Sequence, residues 1–190
     1  LKHLEALLKK ERSRFRHALI VTESLFSMDG DKPPLKELVC LKEKYDCQLM
    51  ADEAHATGIF GENGSGVAEE EGLVERIDLL MGTFSKALGG YGGYLAASKK
   101  IIEFLVNTAR SFIYSTSLPP SAIAVNLAAI DLIEKEPWRR KNLLENARYF
   151  RQALNEKGLS FKGEAQIVPL ITKDNLRTVG LAEKLQKKGY

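Results

Sequence analysis

Short apolar runs alternate with amphipathic, helix-like segments along most of the 190 residues, and this alternation limits the folds open to the chain. The runs are rich in residues that favour strands, so we predict strands over 18–22, 47–52, 77–83 and 93–97. Helical spacing separates or follows them, for example over 35–45 and 99–110. Strands that alternate with helices predict an α/β protein whose mostly parallel sheet is sandwiched by helices.

The last third of the chain shows a second, smaller pattern. Pro137 ends one helical pattern, and a long amphipathic segment over 138–157 follows it. We predict a strand over 167–172 and a helix over 176–188, so that residues 1–136 belong to a large domain and residues 137–190 begin a small α/β domain. Because the chain starts at Leu1 within a helical pattern and stops at Tyr190 soon after another, we expect it to be part of a longer protein.

The composition of the chain argues against nucleic-acid binding, a membrane span and a metal site. The 28 basic residues nearly balance the 25 acidic ones, which argues against a dedicated nucleic-acid surface. No apolar run is long enough to cross a membrane and no signal peptide opens the sequence, so we expect a cytoplasmic protein. Cys40 and Cys47 lack the spacing of metal-binding cysteines, and we predict buried free thiols and no metal site.

The four residues Asp52-Glu53-Ala54-His55 spell a motif by which one group of nucleic-acid helicases is recognised. Such a motor also needs a glycine-rich phosphate cradle that ends in Gly-Lys-Ser or Gly-Lys-Thr, and neither tripeptide occurs here. A nucleotide-driven motor therefore requires a cradle outside these residues and is kept only as an alternative.

A lysine and a carboxylate follow two of the predicted strands, where ligands of parallel sheets collect. The hydroxyls of Thr83 and Ser85 and nearby glycine backbone can hold a phosphate, and the amine of Lys86 can form a Schiff base with an aldehyde. Asp52 can pair with a protonated pyridine nitrogen, and His55 can bond the phenolic oxygen of the same ring. Together these groups predict pyridoxal 5'-phosphate (PLP) as cofactor. Taken singly, these residues favour simpler interpretations: Asp52 as a helix cap, His55 as a satisfied histidine and Lys86 as a surface charge.

Four ordered blocks of sequence carry a family resemblance: TESLFSMDGD over 22–31, DEAHATG over 52–58, GTFSKA over 82–87 and FIYSTSLPP over 112–120. With them the chain resembles the α-oxoamine synthases, PLP enzymes of the aspartate-aminotransferase-like fold (fold type I). The resemblance implies that Lys86 is the Schiff-base lysine and proton-transfer base, that Asp52 pairs with the ring nitrogen and that His55 bonds the ring oxygen. It also implies that Ser27 lies beside the ring and that Thr83 holds the phosphate.

The resemblance further implies a homodimer, because Thr116 would reach the phosphate of the neighbouring subunit's cofactor. The implied reaction is a decarboxylating condensation of an amino acid with an acyl thioester. The runs over 55–58 and 167–171 favour a family member that uses L-alanine and a pimeloyl thioester, with glycine-using members and a non-catalytic dimerising relative as alternatives. The family's ring-stacking histidine is expected before Leu1 and its substrate-binding arginine after Tyr190, so we expect these residues alone to bind the cofactor weakly and to be inactive.

Overall fold

A computed structural model describes all residues from Leu1 to Tyr190, and its only sheet has four strands flanked by helices. The strands are β1 (Leu19–Glu23), β2 (Gln48–Asp52), β3 (Leu79–Thr83) and β4 (Gly93–Ala97). The α-helices are α1 (Lys2–Glu11), α2 (Leu35–Lys44), α3 (Val67–Glu70), α4 (Lys99–Thr108), α5 (Arg110–Ile113), α6 (Pro120–Lys135), α7 (Trp138–Glu156) and α8 (Asn175–Gln186). Short 3-10 helices cover Arg12–Arg14 and Val74–Arg76. None of the helices is both long enough and apolar enough to traverse a lipid bilayer.

The sheet is mostly parallel, as predicted. Its strands lie in the order β1-β2-β3-β4, with β1, β2 and β3 parallel and β4 antiparallel to β3. The register places Glu23 beside Asp52, and Asp52 beside Met81, two residues before Thr83. The carboxyl ends of β1, β2 and β3 therefore form one edge, and the residues that follow them share it.

The core of the sheet is centred on β2. Leu49 and Ala51 on this strand have no exposed surface, and the same holds for Leu35 and Val39 on α2. These positions follow from the sequence, because β2 alternates inward and outward residues while α2 repeats its apolar residues at helical spacing. Full burial of a side chain such as Leu49 stabilises the fold by about 1.5–3 kcal/mol.

The chain divides into two compact units, residues 1–26 with 32–141 and residues 27–31 with 142–190. The first unit holds the sheet, and α7 begins in it and continues in the second. In the second unit, the Lys162 ammonium binds the Asp29 carboxylate at 2.8 Å, and Asp174 caps α8 by accepting the backbone N–H of Arg177 at 2.6 Å. The domain boundary expected between residues 136 and 137 stays a prediction.

The strand predicted over 167–172 is wrong. This segment forms one isolated antiparallel bridge between Phe161 and Leu170, with a bond from Lys162 N to Pro169 O at 3.1 Å. Pro169 has no backbone N–H to donate, so a continuous ladder cannot pass through it.

The two cysteines have different surroundings, and only one matches the expectation. Cys47 is buried just before β2, whereas Cys40 is exposed, and both are free thiols. Cys40 follows the buried Val39 on α2, and a step of one residue around the helix turns its side chain to solvent.

Candidate functional site

Lys86 and His55 meet at the carboxyl edge of the sheet. Lys86, on the loop between β3 and β4, places its Nζ 2.9 Å from Nε2 of His55, on the turn after β2. Burial lowers the pKa of His55 and the Lys86 ammonium lowers it further, while Glu23 and Asp52 act in the opposite sense. Four ionisable groups from three neighbouring strand ends thus form one electrostatic cluster, which includes the predicted Asp52, His55 and Lys86.

Asp52 ends β2 with a half-buried side chain. Its Oδ1 accepts the backbone N–H of Ala54 at 2.8 Å, which orients the carboxylate and leaves Oδ2 able to accept another donor. The contact expected if Asp52 is a helix cap is therefore present. It occupies only one of the two carboxylate oxygens of Asp52.

The loop after β3 holds two hydroxyl groups close to Lys86. Thr83 Oγ1 lies 2.8 Å from Ser85 Oγ, donates to Gly92 O at 3.0 Å and accepts from Ser85 N at 3.2 Å. A threonine hydroxyl has one proton, so with that proton on Gly92 O the exposed Ser85 hydroxyl is the donor to Thr83 Oγ1. The predicted roles of Thr83 and Ser85 in phosphate binding stay predictions.

Glu53 makes a set of contacts that the sequence did not reveal. Only 2% of the residue is exposed, and its Oε2 accepts from Ser24 Oγ at 2.5 Å and from Val67 N at 3.0 Å. Its Oε1 accepts from Ala68 N at 2.7 Å. Burial raises the pKa of Glu53, and the three donors oppose that shift. The carboxylate therefore joins the segment after β1 to the start of α3.

Tyr94 on β4 contacts the same turn through Thr57. Its hydroxyl lies 3.0 Å from Thr57 Oγ1, and Thr57 Oγ1 donates to Glu53 O at 3.0 Å, so Tyr94 is the donor of the pair. Burial raises the pKa of Tyr94. The ring lies so close to Gly82 that a Cβ there would be 2.3 Å from the Tyr94 hydroxyl oxygen. The absence of a side chain at Gly82 therefore leaves room for the Tyr94 ring.

Asn126 on α6 fixes the far end of the lysine loop. It is 5% exposed, its Oδ1 accepts from Tyr91 N at 3.3 Å and its Nδ2 donates to Tyr91 O at 3.0 Å. A Cβ at Gly90 would stand 2.1 Å from Asn126 Oδ1. A single asparagine within the apolar run IAVNLAAI is the signal that could have identified this residue.

The remaining two predicted site residues lie elsewhere in the chain. Ser27 belongs to the smaller compact unit, and Thr116 is exposed on the segment between α5 and α6. Their roles, beside the ring and at the neighbouring subunit's phosphate, stay predictions.

A cavity of about 670 Å³ in the first unit is separate from this cluster. Its walls are mostly apolar and include Leu80, Tyr94 and Ile130. Neither Lys86 nor His55 lines it, so the candidate site is the exposed cluster at the sheet edge.

Known proteins resemble this chain over almost all of its length. The aminotransferase class I and II family matches residues 1–190. The chain is 48% identical to a putative 8-amino-7-oxononanoate synthase of Halalkalibacterium halodurans over 188 residues, which are 98% of this chain and 47% of that protein. A serine palmitoyltransferase of Sphingomonas wittichii superposes with a TM-score of 0.88 at 34% identity, over 96% of this chain and 47% of the other.

A variant serine palmitoyltransferase of S. paucimobilis, with a bound PLP–myriocin aldimine, superposes with a TM-score of 0.82 at 33% identity, over 90% of this chain and 46% of the other. The chain thus spans about half the length of the relatives it matches.

These similarities decide several predictions. They confirm the resemblance to the α-oxoamine synthases and the α/β fold of the aspartate-aminotransferase type. They leave the nucleotide-driven motor without support. Because the family matches every residue of the chain, the protein belongs to the aminotransferase class I and II family.

Proposed function

We propose that the complete protein is a PLP enzyme that condenses L-alanine with a pimeloyl thioester, with loss of carbon dioxide, to give 8-amino-7-oxononanoate for biotin synthesis. The observation that carries this proposal is the contact of 2.9 Å between Lys86 Nζ and His55 Nε2 beside the Asp52 carboxylate. The 48% identity to a putative 8-amino-7-oxononanoate synthase supports the choice of reaction.

The groups at the site fit the cofactor. Asp52 Oδ2 is able to accept a ring N–H because only Oδ1 holds Ala54 N. The exposed Ser85 hydroxyl lies 2.8 Å from Thr83 Oγ1, and a phosphate near Lys86 would replace the acceptors that these two hydroxyls have within the loop. When bound, PLP supplies an aldehyde for amines and a ring that withdraws electrons from the α-carbon of an amino acid.

Each side chain then has a distinct part in the reaction. The Asp52 carboxylate would accept the N–H of the pyridine ring through Oδ2, which would keep the ring electron-poor. Lys86 Nζ would hold the cofactor through its aldehyde and, as a free amine, would be the base that takes the proton from the α-carbon of the amino acid. The same amine would return a proton to that carbon, and the condensation would release the thiol of the thioester and carbon dioxide.

The hydrogen-bond partner of His55 would differ between the site without cofactor and the site with it. An ammonium can only donate, so a charged Lys86 makes His55 Nε2 the acceptor, and the lowered pKa of His55 favours this neutral ring. With the cofactor bound, His55 would be the residue that bonds its phenolic oxygen. The pair thus keeps the amine in place while the site has no cofactor.

The choice of amino acid is the finer part of the proposal. The serine palmitoyltransferases that superpose at 33% and 34% identity represent the second candidate, a related condensing enzyme with another amino acid. Alanine, glycine and serine added separately to the full-length protein distinguish the candidates, because only a bound amino acid changes the cofactor's absorbance. A change with glycine or serine and none with alanine would remove the biotin assignment and keep the family.

The proposal is tested by locating the lysine that holds PLP. Borohydride reduction of the full-length protein should fix PLP to the peptide that contains Lys86, as found by mass spectrometry. Lys86→Ala should lose both this adduct and the visible absorbance, whereas Lys100→Ala, which removes another exposed lysine, should keep them. An unchanged adduct and spectrum in Lys86→Ala would refute the proposed function.

A further inference from the structure

The turn that carries His55 is anchored two residues before and two residues after the histidine. Before it, the Glu53 carboxylate accepts bonds from Ser24, Val67 and Ala68. After it, the Thr57 hydroxyl meets the Tyr94 hydroxyl at 3.0 Å. The two anchors reach different elements, Glu53 the start of α3 and Thr57 the strand β4.

Between these anchors, the turn is closed by hydrogen bonds to a single backbone carbonyl group. Glu53 O accepts from Ala56 N at 2.8 Å, from Thr57 N at 2.8 Å and from Thr57 Oγ1 at 3.0 Å. A shift of Glu53 or of Thr57 therefore moves the backbone of His55 with it. The half-buried His55 ring is then directed at Lys86 by the backbone on which it stands.

We propose that Glu53 and Tyr94 are positioning residues, which hold His55 against Lys86 by fixing the two ends of the turn. The importance of this positioning for catalysis rests on the proposed function, whereas the hydrogen bonds that hold the turn do not. Neither residue touches the reacting atoms. Their effect on the reaction passes through His55 and the adjoining Asp52.

The chemistry of the Glu53 site makes a sharp variant available. Both of its oxygens accept backbone N–H groups, Oε2 from Val67 and Oε1 from Ala68. An amide has one acceptor oxygen, so Glu53→Gln turns an NH2 group towards one of these N–H donors and breaks a contact without changing the size of the side chain. Tyr94→Phe removes only the hydroxyl that meets Thr57.

Glu69→Gln is the matched control. Glu69 also accepts backbone N–H groups with both oxygens, from Asn63 at 3.1 Å and from Ser65 at 2.9 Å. These contacts hold the later part of the same loop and do not involve residues 53–57. The control therefore loses the same kind of bond at a place that should not move His55.

The readout is the titration of the His55 imidazole by NMR in the full-length protein without cofactor, with its signal assigned by its loss in His55→Gln. Lys86 lowers the pKa of His55 while Glu23 and Asp52 raise it, and burial is the largest cause of the lowering. In Glu53→Gln and in Tyr94→Phe we expect the His55 ring to move away from Lys86 and to become more hydrated. The pKa of His55 should therefore rise in both variants. In Glu69→Gln it stays at the wild-type value.

The direction of the shift separates positioning from a direct effect of charge. Removing the Glu53 charge through space would lower the pKa of His55, which is the opposite sign. The inference is overturned if His55 in either folded variant titrates at or below the wild-type pH. Should Glu53→Gln not fold, Tyr94→Phe, which lacks a single oxygen, tests the same turn.

Kinetics provide the second readout. In the loaded full-length enzyme we expect Glu53→Gln to lower kcat by about tenfold to a hundredfold, as a misplaced catalytic group does, with KM changed less. Glu69→Gln should leave kcat within about twofold. Because the titration uses protein without cofactor, it stands or falls separately from the assignment of Lys86 as the PLP lysine.

Discussion

Gly66 is expected to accept no side chain, and replacing it with alanine tests how firmly Glu53 is held. The backbone at Gly66 has φ +136°, a value that residues with a side chain rarely adopt. A Cβ there would lie 2.4 Å from Glu53 Oε2 and 2.5 Å from its Cδ. The carboxylate cannot retreat without leaving the donors Val67 and Ala68.

The expected cost has two parts. The backbone strain of a residue with a side chain at such a φ amounts to about 1–3 kcal/mol. Forcing an additional carbon into this packed place adds about 1–3 kcal/mol. Gly66→Ala should therefore lower the free energy of unfolding by about 2–6 kcal/mol, and the Tm by about 2–4 °C for each kcal/mol in a chain of this size.

Gly72→Ala provides the matched control for thermal unfolding followed by circular dichroism. Gly72 also has a positive φ, +68°, yet a Cβ there would meet no atom within 4 Å. This variant should show the strain alone, about 1–2 kcal/mol. Adding Glu53→Ala to Gly66→Ala should remove the contact part, and the two substitutions should be non-additive. Equal losses in Gly66→Ala and Gly72→Ala would show that the Glu53 carboxylate yields, and the argument for a firm anchor would fail.

Two further changes test the electrostatics and the helices. Since the folded-state pKa of His55 lies below its ordinary value, the unfolded chain binds more protons between these two values, and wild type should lose stability relative to His55→Gln as the pH falls from about 7 through this window. Tm values of both proteins at several pH values measure this, and a relative gain by wild type on acidification would contradict it. Gly180→Ala, inside α8 and with no atom within 4 Å of the new Cβ, should stabilise α8 by about 0.5–1 kcal/mol, and a lower Tm would show that the glycine is needed there.

The sequence predicted the strands of the site because their signals are local. The run before Asp52 and the run before Thr83 are short, apolar and bounded by polar residues, and β2 and β3 begin within two residues of the predicted starts. Parallel order then places their ends at one edge, which is why Asp52, His55 and Lys86 could be expected together.

The supporting contacts could not be predicted in the same way, because they depend on residues far apart in sequence. Glu53 meets Ser24 and Ala68, which lie 29 and 15 residues away, and nothing near Glu53 announces either contact. Asn126 binds Tyr91 from a helix 35 residues further along. Periodicity shows which residues face inward, but a buried polar side chain finds its partners only when the elements have packed.

The antiparallel return of β4 affects how the lysine loop is formed. Thr83 pairs with Gly93 only ten residues later, whereas the pairing of β1 with β2 joins Leu19 to Gln48, 29 residues apart. Closing the shorter loop costs less chain entropy, and hairpins of this kind form in microseconds. As the nascent polypeptide leaves the ribosome, the segment bearing Lys86 can thus begin to close by the pairing of β3 with β4, and Asn126 fixes its far end once α6 has formed.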